Sequence, residues 1–128
     1  AALKGIRILL VEDNPFNVVV AQEELEDAIE NVHVEVAENG LIAVEKLRSS
    51  AFDVILMDVQ MPTMNGYEAT IAIRAFDNEK AMTPIIAMTA NVLKDEVDLC
   101  YQAGMNDFIG KPFDTMELLH KINLLIKK

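Results

Sequence analysis

The sequence predicts an α/β domain, a parallel sheet with helices on both faces, and three observations carry that expectation. Five short apolar runs recur in order, each followed by a stretch with helical spacing: Ile6 to Val11, Val32 to Ala37, Val54 to Met57, Ile85 to Met88, and Asp107 to Ile109. The first, third and fourth are almost wholly apolar and partly β-branched, as expected of central strands covered on both faces. Right-handed crossovers between such units build a doubly wound sheet, and on pattern alone both common strand orders stay open.

Each element has a local reason. In the second run Val32, Val34 and Val36 alternate with His33 and Glu35, the period of a strand with one wetter side, which places it at an edge. Asn14-Pro15 supplies a helix cap followed by proline at the first helical position, and Val18, Ala21, Leu25 and Ile29 then recur on one face. Similar reasoning predicts helices over Leu41 to Ser49, Tyr67 to Phe76, Val92 to Ala103 and Thr115 to Ile126. Gly104 closes the fourth of the five helices, and Asp114 or Thr115 caps the fifth. Gly66 after Asn65 reads as a turn.

Composition narrows the function classes. With 128 residues, 52% of them hydrophobic, the chain fits one domain, residues 1–128, able to bury a core without staples. The opening Ala1-Ala2-Leu3 is expected of a segment excised from a longer multidomain chain. A lone cysteine, Cys100, cannot form an internal disulfide and is expected to be a small packed residue in a cytoplasmic setting. Apolar runs far shorter than a membrane span argue against membrane contact by this domain, leaving a parent chain free to carry an anchor elsewhere. Twenty-one acids against eleven bases, a formal charge of -10, repel a phosphate backbone and argue against direct nucleic-acid binding. His33 and His120 stand apart from other ligand types and receive no role. The seven methionines read as core filling.

The residues at the strand ends carry the chemistry. In a doubly wound sheet, ligands bind beyond the carboxyl ends of the strands. There the sequence sets Glu12-Asp13 after the first strand, Asp58 after the third, Thr89 after the fourth and Lys111 after the fifth. Clustered carboxylates repel unless a cation sits among them, and an all-oxygen set without histidine or cysteine suits magnesium rather than zinc. Phosphoryl transfer needs an oxygen nucleophile in line with phosphorus and positive charge around the equatorial oxygens. Asp58, a cation and Lys111 supply those parts, and Thr89 adds a hydroxyl donor. Any one of these residues alone reads as a helix cap or turn former; four strand ends together do not.

At these residues the sequence resembles the response-regulator receiver family of two-component systems across essentially its whole length. The resemblance rests on Ile8-Leu9-Leu10-Val11-Glu12-Asp13-Asn14, Leu56-Met57-Asp58-Val59-Gln60-Met61-Pro62, Met88-Thr89-Ala90 and Lys111-Pro112-Phe113. It implies a flavodoxin-like fold with strand order 2-1-3-4-5 and Asp58 as phosphoacceptor, with self-phosphorylation and self-dephosphorylation. It implies a Mg2+ or Mn2+ site formed by Glu12, Asp13, Asp58 and the Gln60 carbonyl, and Thr89 and Lys111 as phosphate partners. It also implies a switch made of Thr89 and Phe108, where the family often has tyrosine; phenylalanine has no hydroxyl for a phenolic hydrogen bond. The segments Met61 to Thr70 and Ala103 to Asp107 look most like receivers of hybrid sensor histidine kinases. The implied partner is then the phosphohistidine helices of a kinase or a histidine phosphotransfer protein, with the domain itself a monomer or weak dimer.

A docking face is predicted apart from the resemblance. With Val18, Ala21 and Leu25 toward the sheet, Phe16, Val19 and Val20 share another stripe of the first helix, one turn from the acidic residues, and Pro112-Phe113 leaves the same rim. Three rival functions stay in view. An aspartate-nucleophile phosphatase of the haloacid dehalogenase type would have a second aspartate two residues after the nucleophile, where this chain has Gln60. A flavin or nucleotide module would lack acids such as Glu12 and Asp13 facing its phosphates. A receiver cut from a DNA-binding regulator would pair through its fourth and fifth helices.

Overall fold

The structure, a computed structural model, describes residues 3–90 and 93–126. Strands and helices alternate: β1 (Arg7–Val11), α1 (Pro15–Ala28), β2 (His33–Ala37), α2 (Gly40–Ser49), β3 (Val54–Asp58), α3 (Gly66–Arg74), β4 (Ile85–Thr89), α4 (Lys94–Ala103), β5 (Asp107–Gly110) and α5 (Thr115–Ile126), with a 3-10 turn at Glu79–Met82. All pairings are parallel and the order is β2-β1-β3-β4-β5, the flavodoxin-like arrangement. The three apolar runs are the three central strands, and the alternating one is an edge.

Strand alternation divides the core in two. Leu9, Val11, Ile55, Met57, Ile85 and Ala87 face a layer built from α2, α3 and α4, including Leu47, Ile73 and Cys100. Ile8, Leu10, Leu56, Ile86, Met88 and Ile109 face the opposite layer, which includes Ala21 and Leu25 of α1 and Leu118 and Ile122 of α5. Burying residues that alternate to opposite faces is what makes these strands apolar throughout.

The caps are as their chemistry requires. The Asn14 side chain accepts from the N–H groups of Phe16 and Asn17, and Asn65 and Glu68 form a reciprocal capping box at α3. Asp114 rather than Thr115 caps α5, accepting from Met116 N at 2.9 Å. Gly104 ends α4 at a φ of 110°, in the left-handed region. Gly66 does more than turn the chain: a Cβ there would lie 2.5 Å from the Asp58 carbonyl oxygen, so only glycine lets α3 start directly against the end of β3.

Some boundaries depart from expectation. The third helix stops at Arg74 rather than Phe76, because Ala75 and Phe76 bond back three residues and tighten the last turn. The fourth is described from Lys94; its expected start at Val92 lies outside the described residues. Met57, Met88 and Met105 are buried, but Met82 and Met116 are among the exposed large apolar residues, so core filling does not account for all the methionines.

Candidate functional site

Parallel pairing in register brings the strand ends to one rim: Val11 opposite Met57, Asp58 opposite Met88, and Thr89 opposite Gly110. Asp58 and Thr89 are the last residues of their strands rather than the first beyond them. A cleft of about 300 Å3 opens there, with Glu12, Asp13, Asp58, Gln60, Thr89 and Lys111 among its walls.

Glu12 and Asp58 are 3% and 5% exposed, unusual for carboxylates and costly without partners. Lys111 Nζ donates to Glu12 Oε1 at 2.8 Å and lies 3.2 Å from Asp58 Oδ2. Two backbone donors add to these: Asn14 N to Glu12 Oε2 at 3.1 Å, and Gln60 N to Asp58 Oδ1 at 3.2 Å.

The two carboxylates are pushed apart in acidity. Burial, reinforced by the charge of Glu12, outweighs Lys111 and raises the Asp58 pKa from 3.8 to about 6. For Glu12 burial acts the same way but is overcome by the Lys111 and Asn14 hydrogen bonds, so its pKa is lowered. Burial pulls the Lys111 amine down, yet the Glu12 bond and the Asp58 charge leave it raised, and it stays an ammonium.

The donor chemistry fits a divalent cation. One carboxylate oxygen from each of Glu12, Asp13 and Asp58 lies within 4.8 Å of the others. Three acids against one ammonium leave a net of two negative charges, and all ligand atoms are hard oxygens, as Mg2+ prefers.

Phe108 lies partly buried against the core, on the strand beside α4. On α1, Phe16, Val19 and Val20 are 74%, 52% and 38% exposed. They do not pack under a neighbouring loop. Phe16, Val20, Pro112 and Phe113 share a second cleft, of about 160 Å3, with Glu12 and Lys111, so the apolar stripe runs into the acidic rim. Phe113 itself is partly buried against the α1 side of the core, whereas Pro112 is exposed. His33 and His120 are exposed and away from the cleft, and Cys100 is buried.

The sequence reading missed Lys121, whose Nζ grips both the carbonyl and the ring of Phe108. Its sequence signal is only a Glu117–Lys121 pair four residues apart, ordinary on a helix surface.

With this geometry in place, comparison with known proteins defines the class. The response regulator receiver domain family matches residues 8–123, and the chain belongs to that family. It is a receiver domain of two-component and phosphorelay signalling, similar to receivers carried by hybrid sensor kinases. It is 42% identical over 114 residues to the sensor protein GacS of Pseudomonas syringae pv. syringae, covering 88% of this chain and 12% of that protein. It superposes on the receiver domain of a sensor histidine kinase from Pseudomonas aeruginosa PAO1 with a TM-score of 0.88 and 41% identity, covering 97% and 99% of the two chains; that structure has a magnesium ion coordinated in its active site cleft. A Saccharomyces cerevisiae response-regulator receiver, solved in complex with a histidine phosphotransfer protein, matches with a TM-score of 0.83 and 27% identity, over 94% of this chain and 88% of that one. Membership of the receiver family sets aside the phosphatase and nucleotide-module rivals. Among the described residues no helix is long and apolar enough to cross a membrane.

Proposed function

We propose that Asp58 is the phosphoacceptor, taking a phosphoryl group from a phosphohistidine. The observation that carries this reading is a carboxylate at the end of β3, only 5% exposed, set 3.2 Å from an ammonium and within 4.8 Å of two further carboxylates. An Asp58 oxygen attacks phosphorus, the phosphorus–nitrogen bond breaks, and the imidazole leaves as the aspartyl phosphate forms. Lys111 then turns from the carboxylates to the transferred oxygens, with the Thr89 hydroxyl as a second donor to them. The Glu12, Asp13 and Asp58 side chains with the Gln60 carbonyl would hold Mg2+, or Mn2+ in its place. When bound, the cation supplies positive charge against the phosphoryl oxygens.

Thr89 and Phe108 would relay occupancy of the site to the α4 side of the molecule. The partner is a helical bundle carrying the histidine, from a kinase or a histidine phosphotransfer protein, seated on Phe16, Val19, Val20, Pro112 and Phe113. Support comes from the exposed stripe opening into the acidic rim and from the yeast receiver solved with such a partner. The likeness to receivers carried by hybrid sensor kinases supports such a kinase, a phosphotransferase, as the parent chain.

Intact-protein mass spectrometry after acetyl phosphate treatment, with and without Mg2+, tests the core of this. One phosphoryl mass on the wild-type chain, dependent on Mg2+ and lost in Asp58→Asn, is expected. Undiminished labelling of Asp58→Asn would sink it.

A further inference from the structure

Away from the acidic cleft, one side chain ties α5 to the strand that leads to Lys111. Lys121 Nζ donates to the Phe108 carbonyl at 2.6 Å, and lies 3.2 Å from Asp107 Oδ1 and 3.7 Å from Glu117 Oε2. The same nitrogen sits 4.7 Å from the centre of the Phe108 ring, in cation–π range. From α4, Tyr101 meets that ring edge-on, with centroids 6.3 Å apart and planes at 85°. The Lys121 side chain is 17% exposed. A carbonyl, two carboxylates and a π face take the place of the water that a side chain withdrawn that far gives up.

The grip falls on an edge strand. β5 pairs with β4 on one side only, and the Phe108 N–H is taken by Asp107 Oδ1 at 2.8 Å. Both backbone groups of Phe108 are therefore held by Asp107 and Lys121, themselves ion-paired, which seals the sheet edge at this residue. Three residues on, Lys111 N donates to Thr89 O at 2.8 Å, so the strand that carries Phe108 leads straight to the cleft.

We infer that Lys121 is a positioning residue: together with Tyr101 it holds the Phe108 ring in its present place and sets how readily that ring moves when the Asp58 site is filled. The inference rests on the reading of Phe108 as a relay element. Moving the ring forfeits the cation–π and edge-on contacts together. The bond to the carbonyl is untouched by ring rotation and keeps the β5 backbone in place. The ring, not the strand, is the part able to respond.

The test is fluorine NMR on the chain carrying 4-fluorophenylalanine at its five phenylalanines, with Phe108→Leu assigning the signal. Wild type, Lys121→Met and Lys121→Arg are compared alone and with Mg2+ and beryllium fluoride as the phosphoryl mimic. In Lys121→Met the Phe108 signal should move, before any addition, toward the position the mimic produces in wild type. Lys121→Arg, which keeps a cation over the ring, should stay with wild type. Labelling of Asp58 by acetyl phosphate should stay within about twofold, as for sites that do not touch. A merely structural lysine would lower the melting temperature without displacing the signal, and that result overturns the inference. So does an Arg variant that moves as far as Met. Should Lys121→Met not fold, Tyr101→Leu removes the other ring contact and must move the signal in the same direction; an unmoved signal refutes the claim. A wild-type chain that labels at Asp58 while Phe108 ignores the mimic overturns the inference and leaves the phosphoacceptor reading standing. A wild-type chain that takes no label at all overturns that reading instead.

Discussion

Asp58→Asn should make the protein more stable at neutral pH when divalent ions are removed by chelation. The reason is the buried charge: desolvation and the neighbouring Glu12 raise the Asp58 pKa from 3.8 to about 6 in spite of Lys111. A rise of about two pH units corresponds to about 3 kcal/mol working against the ionised folded state. The attraction of Lys111 is already counted in that shift, and its 2.8 Å bond to Glu12 keeps the ammonium partnered in the variant. A gain of about 2–3 kcal/mol is expected, or roughly 6–15 °C in melting temperature for a domain of this size. The sign with pH follows from linkage. Between about pH 4 and about pH 6 the folded chain holds a proton that the unfolded chain releases, so the wild type loses stability as pH rises through that window. The advantage of Asn over Asp should therefore be near zero at about pH 4, grow to about pH 7 and then level off. Urea unfolding of both proteins in chelator across that range measures it, and Mg2+ should then narrow the gap by stabilising wild type more than the variant. A variant less stable than wild type at neutral pH, or an increment independent of pH, would refute the reasoning.

Three further outcomes are expected. Phe16→Glu or Val20→Glu should slow phosphotransfer from a protein donor by about tenfold or more, the scale of a lost interface anchor, while leaving acetyl phosphate labelling unchanged; rates with the two donors compared side by side decide it, and equal slowing removes the docking face. Lys111→Met should lower Asp58 labelling by roughly 10- to 1000-fold through loss of a charged donor to the phosphoryl oxygens. It should also tighten Mg2+ binding in calorimetry, because an ammonium that competes for Glu12 and Asp58 is gone; weaker Mg2+ binding would contradict this account. Arg74→Met should destabilise the fold by about 3 kcal/mol in urea unfolding without abolishing labelling, since the guanidinium donates to the carbonyls of Ala81, Thr83 and Gly104 and to Asn106 Oδ1, and its loss strands several of these acceptors.

Much of the architecture was legible because it is set by neighbours along the chain. Apolar residues on both faces of Ile8–Val11, Val54–Met57 and Ile85–Met88 demand two covering layers wherever those strands end up. Asn14-Pro15 and Gly104 act on backbone within a turn of themselves, and both helix ends lie where their chemistry puts them. The strand-end acids and Lys111 could likewise be placed on one rim from the topology rule alone. What the pattern left open was the strand order, because crossovers of one hand satisfy two arrangements equally well; the tertiary pairing decided it.

Tertiary structure alone decided how the site is charged. Glu12 and Asp58 are both acids at strand ends, and nothing in their local sequence says which is held ionised. The distinction arises because Lys111, 99 residues from Glu12 along the chain, reaches Glu12 more closely than Asp58 where both carboxylates are buried. The same holds for Lys121 over Phe108 and for Arg74 among its carbonyls, partners 13 and 7 to 32 residues distant. Local propensity is a property of adjoining residues. Acidity and ring position depend on distances and burial that exist only after the helices have packed.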